Sequence, residues 1–192
     1  MRNDILIEKA IKYITELFEG NSDGHDVSHA IRVFRTAAKL AEHYPDADSQ
    51  VICLAAILHD ADDHKLFESE NNENARKFLD SICMNADKTD KICQVINSVS
   101  FSKNKGRRPE SIEGCIVQDA DRLDAMGAIG IARTFAYGGG HGRSIEDSMK
   151  HFYEKLLLLK DGINTPEAMK IAEERHKVLE AYIRELEAEM SE

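Results

Sequence analysis

Histidine and aspartate occur at three places where helix packing alone would not put them. His25 and His29 are four residues apart in HDVSHAIRV, the spacing at which two side chains share one helix face. His59 and Asp60 end the apolar run VICLAAILHD, and Asp121 lies in the segment VQDADRLDA. Imidazole and carboxylate groups are common ligands of divalent transition metals, so the three segments are candidates for one metal site.

Each segment also has a purely structural interpretation. His59 and Asp60 suit a helix end that emerges into solvent, and His29 suits a hydrogen-bonded histidine at the edge of a core. Asp121 and Asp124, three residues apart, suit a salt-bridged helix face. A carboxylate that enters a buried face without a cation is strongly penalised, however, and this favours a metal.

Taken together, two imidazoles and two carboxylates suit a divalent cation. Mn²⁺ is favoured, Fe, Ni, Co, Zn or Mg are also acceptable, and His25, Asp26 and Asp124 could be further ligands or could support the ligands from behind. A mixed nitrogen and oxygen set with open positions leaves room for a water molecule, which is what a hydrolase requires.

The elements that must position these residues are helices. Apolar residues recur at spacings of three and four along most of the chain, and strand-like alternation is lacking. We predict an all-α fold of roughly seven to nine helices in a single domain spanning residues 1–192. Its metal-binding core covers about residues 21–137, and C-terminal helices within 144–190 pack on that core.

The sequence predicts two helix N-termini and three loops. Ser144 with Asp147 forms a capping-box-like pair, and Thr165 precedes Pro166 at a first-turn position. A pattern that begins at Pro109 runs through Met126 and continues, with a break, towards Tyr137. Loops are predicted at residues 21–26, 101–108 and 138–143.

Bulk composition narrows the class of protein. Hydrophobic residues make up 42% and charged residues 31%, an ordinary globular balance. The net charge of −10 opposes binding to a nucleic-acid polymer, and no apolar run approaches the roughly 20 residues that span a membrane. We expect a cytoplasmic protein, a monomer or homodimer, that acts on a small phosphorylated molecule. The four cysteines form no CxxC pair and are expected to be buried, reduced thiols.

The ordered set His29, His59-Asp60 and Asp121 resembles a known family. Together with the flanking segments GHDVSHAIRV, LAAILHDADDHK and VQDADRLDAMGAIGIARTFAYGG, it is similar to the HD superfamily of metal-dependent phosphohydrolases. The branch it resembles is the small bacterial one that includes nucleotide pyrophosphohydrolases of the YpgQ type. The resemblance implies an all-α HD-domain bundle with these four residues as metal ligands. It also implies cleavage of a nucleoside triphosphate to the monophosphate and pyrophosphate.

Further roles follow from residues near the expected ligands. Asp60 could orient a metal-activated water, and Asp63 or His64 could transfer a proton, whereas Asp62 is interpreted as part of a charged surface. Asp119 and Arg122 are expected to pair on the surface. The expected substrate contacts are His25, Arg32, Lys65, Arg133 and Tyr137.

Two other functions remain open at this stage. The first keeps the metal but changes the substrate to a nucleoside monophosphate, a cyclic nucleotide or an alarmone. The second is a non-catalytic helical module that binds a metal or a nucleotide.

Overall fold

The described part of the chain is helical. A computed structural model describes residues 2–19, 27–64, 66–100, 104 and 107–191, and within these ranges it contains α-helices, two short 3₁₀ segments and no strand. The α-helices are α1 (Arg2–Leu17), α2 (Val27–Ala41), α3 (Ser49–Leu58), α4 (Glu73–Ser81), α5 (Ala86–Val99), α6 (Ile112–Asp124), α7 (Gly127–Gly140), α8 (Ile145–Glu154) and α9 (Pro166–Met190). The 3₁₀ segments are Leu156–Leu158 and Lys160–Gly162. The predicted all-α class is confirmed.

Contacts group the chain into two compact units, Met1–Ala120 and Asp121–Glu192. The division falls inside α6, an unbroken helix. In the first unit α3 packs against α1, α2 and α5, and in the second α7 packs against α8 and α9. The predicted domain organisation, with C-terminal helices packed on a metal-binding core, stays a prediction.

Helix α3 forms the centre of the first unit. Asp48 caps its N-terminus, since the carboxylate accepts hydrogen bonds from the backbone N–H groups of Gln50 at 3.1 Å and Val51 at 3.2 Å. The side chains that follow are buried on all sides, as expected for a helix that is apolar all round: Val51, Ile52, Leu54, Ala55, Ala56, Ile57 and Leu58. His59 and Asp60, which directly follow the helix, therefore lie at the edge of a tightly packed core.

The predicted break after Met126 is present and lies at a glycine with left-handed backbone geometry. Gly127 has φ +66°, and a Cβ at this position would meet the side chain of Arg175 at 3.1 Å. Helix α7 then runs on to Gly140, so the loop predicted at residues 138–143 begins only at His141. The predicted cap at α8 is confirmed, since Ser144 Oγ accepts a hydrogen bond from Asp147 N at 3.1 Å.

The structure differs from the sequence-based predictions at the N-terminal helix and at the cysteines. Helix α1 was not anticipated, although Ala10 and Ile14 on its inner face are fully buried. Cys83 is exposed at a turn with φ +53°, whereas Cys93 and Cys115 are buried and Cys53 is half-buried. Among the described helices, none is both long and apolar enough to cross a membrane.

Candidate metal centre

His59 is held by the helix that it ends. Its Nδ1 atom lies 2.9 Å from the carbonyl oxygen of Ala56, one turn earlier. A carbonyl oxygen can only accept, so Nδ1–H must be the donor, and the neutral ring then keeps its lone pair on Nε2. This backbone bond fixes both the ring orientation and the atom that is offered as a ligand.

Helix α2 brings a second imidazole to the same point. His29 is buried, and its Nε2 atom lies 3.3 Å from His59 Nε2. The Oδ2 atom of Asp60 lies 3.5 Å from His29 Nε2 and 3.3 Å from His59 Nε2. Two ring nitrogens and one carboxylate oxygen therefore converge on one small volume, and the Asp60 side chain is only 13% exposed.

Helix α6 supplies the fourth predicted ligand. One ligand atom from each of His29, His59 and Asp121 lies within 4.8 Å of the others. Asp121 lies within α6, which runs from Ile112 to Asp124. Residues from three helices, 92 positions apart at the extremes (121 − 29), meet here.

The spacing of these donors suits a bound cation. Two ligands held about 2.1 Å from one ion at octahedral or tetrahedral angles lie about 3.0–3.4 Å apart. The nitrogens of His29 and His59 and the oxygen of Asp60 are separated by 3.3, 3.3 and 3.5 Å. Imidazole and carboxylate are the donors that divalent transition metals accept, so the residues fit such an ion. His29, His59 and Asp121 form a possible metal site.

The residues predicted to move a proton follow the His-Asp pair in a short irregular turn. Asp63 donates its backbone N–H to the carbonyl oxygen of Asp60 at 3.1 Å. The Asp63 side chain is 17% exposed, that of His64 is 62% exposed, and Asp63 Oδ1 lies 3.5 Å from His64 Nδ1. The turn therefore places a sheltered carboxylate beside a solvent-facing imidazole.

The predicted substrate contacts fall into separate groups. Arg32 is half-buried on α2, three residues beyond His29. In the second unit, Arg133 forms a 2.8 Å ion pair with the buried Asp124. Tyr137, in the same unit, stacks on His141 with ring centroids 3.9 Å apart. His25 and Lys65 lie outside the described residues, as do most of residues 101–108.

Two interpretations of charged residues are wrong. Asp119 and Arg122 are not a surface pair, since both are buried, and Arg122 donates a hydrogen bond to the carbonyl oxygen of Gly162. Asp62 is not a solvated surface group. Its two carboxylate oxygens accept hydrogen bonds from the backbone N–H groups of Asn74 and Ala75. No local pattern signals this role, because the partners follow 12 and 13 residues later.

An ionic cluster connects the start of α3 to α5 and α6. Glu113 on α6 accepts hydrogen bonds from Lys91 Nζ on α5 at 2.7 Å and from the backbone N–H of Asp48 at 3.1 Å. Asp48 in turn pairs with Lys88 at 3.0 Å. Burial alone would raise the pKa of Glu113, but the hydrogen bonds from Lys91 and the backbone outweigh burial, so the pKa lies below its ordinary value of 4.5. The N-terminus of α3 is thus tied to α5 and α6.

Comparison with known proteins decides the family. A model of the HD domain family matches residues 26–126, the segment that carries all four predicted ligands. The chain belongs to the HD domain family. It is 35% identical to the uncharacterised protein YpgQ of Bacillus subtilis (strain 168), and the match covers 95% of this chain and 93% of YpgQ.

Solved structures agree with this assignment. The crystal structure of B. subtilis YpgQ in complex with ADP has a TM-score of 0.81 at 35% identity, covering 95% of this chain and 97% of that one. An HD-superfamily hydrolase from Bacillus thuringiensis has a TM-score of 0.80 at 37% identity, covering 98% of both chains. The predicted resemblance and the HD fold are therefore confirmed, and these relatives support a hydrolase.

Proposed function

We propose that this protein is a divalent-metal-dependent phosphohydrolase that cleaves a nucleoside triphosphate to the monophosphate and pyrophosphate. The observation that carries the proposal is the convergence of His29, His59 and Asp60 donor atoms within 3.5 Å of one another, with a carboxylate oxygen of Asp121 within 4.8 Å of a ring nitrogen of each histidine. A nucleotide substrate is supported by the ADP complex of YpgQ, which shares the fold and about a third of the sequence.

The residues of the proposed metal site have different roles. His29, His59, Asp60 and Asp121 would hold the metal, which when bound acidifies a water molecule and neutralises phosphate charge. The Ala56 carbonyl keeps the His59 ring in the tautomer that offers Nε2. Asp60, the carboxylate in contact with both rings, is also placed to orient the attacking water.

Proton transfer is assigned to the turn after Asp60. The sheltered carboxylate of Asp63 can take a proton from the attacking water, and His64 can pass it to solvent because its ring is 62% exposed. Arg32, one helical turn beyond His29 on α2, is proposed to bind a phosphate group. His25, Lys65, Arg133 and Tyr137 remain proposed substrate contacts.

The test is Mn²⁺-dependent turnover of a panel of nucleotides, with pyrophosphate and orthophosphate measured in parallel. We expect pyrophosphate release from triphosphates that is abolished by a chelator and by Asp121→Ala. Asp90→Ala, which removes an exposed carboxylate paired with Arg76, is the matched control and should retain turnover.

The other outcomes separate the alternatives. Orthophosphate release from monophosphates would keep the metal site and replace the substrate class. Stoichiometric metal without turnover of any nucleotide would contradict nucleotide hydrolysis and favour an unrelated substrate or a binding module. Loss of folding in Asp121→Ala, monitored by circular dichroism, would assign the metal a structural role instead.

A further inference from the structure

The turn that contains His59 and Asp60 has little secondary structure of its own. After α3 ends, Ala61 N bonds to Leu58 O at 3.0 Å and Asp63 N to Asp60 O at 3.1 Å, both of which are single-turn contacts. Isolated turns of this kind open easily unless tertiary contacts hold them. Residues elsewhere in the first unit must therefore keep the two proposed ligands in register.

Helix α4 is the element that meets this turn. The Asp62 carboxylate accepts two hydrogen bonds from its first turn, Asn74 N to Oδ1 at 2.9 Å and Ala75 N to Oδ2 at 3.0 Å. Asn74 also donates its side-chain N–H to the carbonyl oxygen of Ala61 at 2.9 Å. The turn and the helix are thus joined by three bonds, with donors on α4 and acceptors on the turn.

The start of α4 depends on Asp62 for a reason visible in its own backbone. Asn71 and Asn72 have positive φ values of 52° and 59°, and the Asn72 side chain makes no capping bond to the helix that it precedes. That side chain instead donates to the carbonyl oxygen of Cys93 at 3.3 Å. The unpaired N–H groups of the first turn are therefore satisfied by a carboxylate from another segment, and the helix dipole favours a negative charge there.

A third helix completes the connection. The hydroxyl group of Tyr13 on α1 donates a hydrogen bond to the carbonyl oxygen of Asn74 at 2.8 Å. Asn74 is consequently bonded to α1 through its carbonyl, to Asp62 through its N–H and to Ala61 through its side chain. Movement of Asp62 has to displace this residue as well.

From these contacts we infer that Asp62 is a positioning residue for the metal centre. It fixes the turn that carries His59 and Asp60 by anchoring it to the N-terminus of α4, with Asn74 as the reciprocal partner. The inference rests on the proposed metal site, and Asp62 itself touches neither metal nor substrate in it. Loss of the anchor is expected to weaken metal binding while the helical fold persists.

The experiment is a Mn²⁺ titration of the metal-free protein, followed by electron paramagnetic resonance. Groups that orient metal ligands typically contribute about 10–100-fold to metal affinity. Asp62 contacts the turn that carries the ligands and not the ligands themselves, so we expect Asp62→Ala to weaken Mn²⁺ affinity by about tenfold, the lower end of that range. Asn74→Ala should weaken binding in the same direction, because it removes the bond to Ala61 and leaves its backbone donor. Asp90→Ala is the matched control, since it removes another carboxylate tied to α4, through the 2.8 Å bond to Arg76.

A second measurement distinguishes a change in the position of the metal ligands from a general destabilisation of the fold. The visible absorption spectrum of the Co²⁺-loaded protein reports ligand geometry, and it should change in Asp62→Ala and stay unchanged in Asp90→Ala. If Asp62→Ala does not fold by circular dichroism, Asn74→Ala carries the test. Unchanged Mn²⁺ affinity in Asp62→Ala, or equal weakening in Asp90→Ala, would overturn the inference. A wild-type protein that binds no Mn²⁺ would instead overturn the metal site on which it rests.

Discussion

Replacing Glu113 with glutamine tests whether the ionic cluster at the N-terminus of α3 stabilises the first unit. The Glu113 side chain is 7% exposed and accepts hydrogen bonds from Lys91 and from the backbone of Asp48. Glutamine keeps a carbonyl oxygen for the Asp48 N–H but loses the charge that pairs with Lys91. The substitution therefore isolates the contribution of the ion pair.

The expected cost follows from burial and solvation. A hydrogen bond to a charged group contributes about 1.5–3 kcal/mol to stability. Removing one partner of a fully buried pair costs about 3–5 kcal/mol, but the Lys91 side chain is 43% exposed and can regain water. We therefore expect Glu113→Gln to lower the free energy of unfolding by about 2 kcal/mol. For a chain of this length that corresponds to about 4–8 °C in melting temperature.

The pKa of Glu113 determines how the stability difference should change with pH. The pKa of Glu113 is lower in the folded protein than its ordinary value of 4.5, so the ionised form is stabilised by folding. This stabilisation is fully present above about pH 4.5 and is lost as the pH falls through the folded pKa. The stability difference between wild type and Glu113→Gln should thus be largest near neutral pH and shrink in acid.

Urea unfolding followed by circular dichroism at several pH values measures this difference. Glu110→Gln, at an exposed position near the start of α6, is the matched control and should change stability by less than about 0.5 kcal/mol. A difference that is independent of pH, or that appears equally in the control, would refute the assignment to the Lys91 pair.

Two further predictions concern the cysteines and metal removal. Brief alkylation near neutral pH should modify Cys83 first, because it is exposed, whereas burial raises the pKa of Cys53 and Cys93 and slows their reaction. Mass spectrometry of the labelled peptides measures this order, and equal labelling of Cys93 and Cys83 would contradict it. Mn²⁺ at about 100 times its dissociation constant should stabilise the protein by about 2.7 kcal/mol, an effect that a chelator reverses. Thermal melting of wild type beside His59→Ala tests this, and an equal shift in both would show that the ion binds elsewhere.

Helix periodicity made most of the fold predictable. The all-round apolar α3 and the cap at Ser144 follow from local rules that the rest of the molecule does not oppose. The break at Gly127 is visible in the sequence as an interruption, but the close approach of Arg175 to this glycine is not, because Arg175 lies 48 residues further along the chain (175 − 127). Helix α1 follows the same local rule although it was not predicted, since Ala10 and Ile14 lie four residues apart on one buried face and Ile5, which is 54% exposed, lies off that stripe.

The candidate site was predictable in residue type but not in geometry. His29, His59, Asp60 and Asp121 could be predicted because ionisable residues within apolar patterns indicate a site and the resemblance to the HD superfamily selects these four. The hydrogen bond from His59 Nδ1 to the Ala56 carbonyl could not be predicted, because the orientation of the ring depends on the tertiary environment. Asp62 was misjudged for the same reason: a carboxylate looks solvent-exposed in sequence until the helix that it caps is placed beside it.

The charges around the metal centre limit how a phosphorylated substrate can be held. The chain carries a net charge of −10, which repels an anionic ligand. The two proposed carboxylate ligands carry two negative charges, and one divalent cation only cancels them. Compensation for the phosphates must therefore come from basic side chains, and Arg133 is already paired with Asp124 at 2.8 Å. Arg32, on the same helix as His29, is the phosphate contact proposed for the first unit, and a nucleotide that arrives with its own cation would meet the smallest electrostatic barrier.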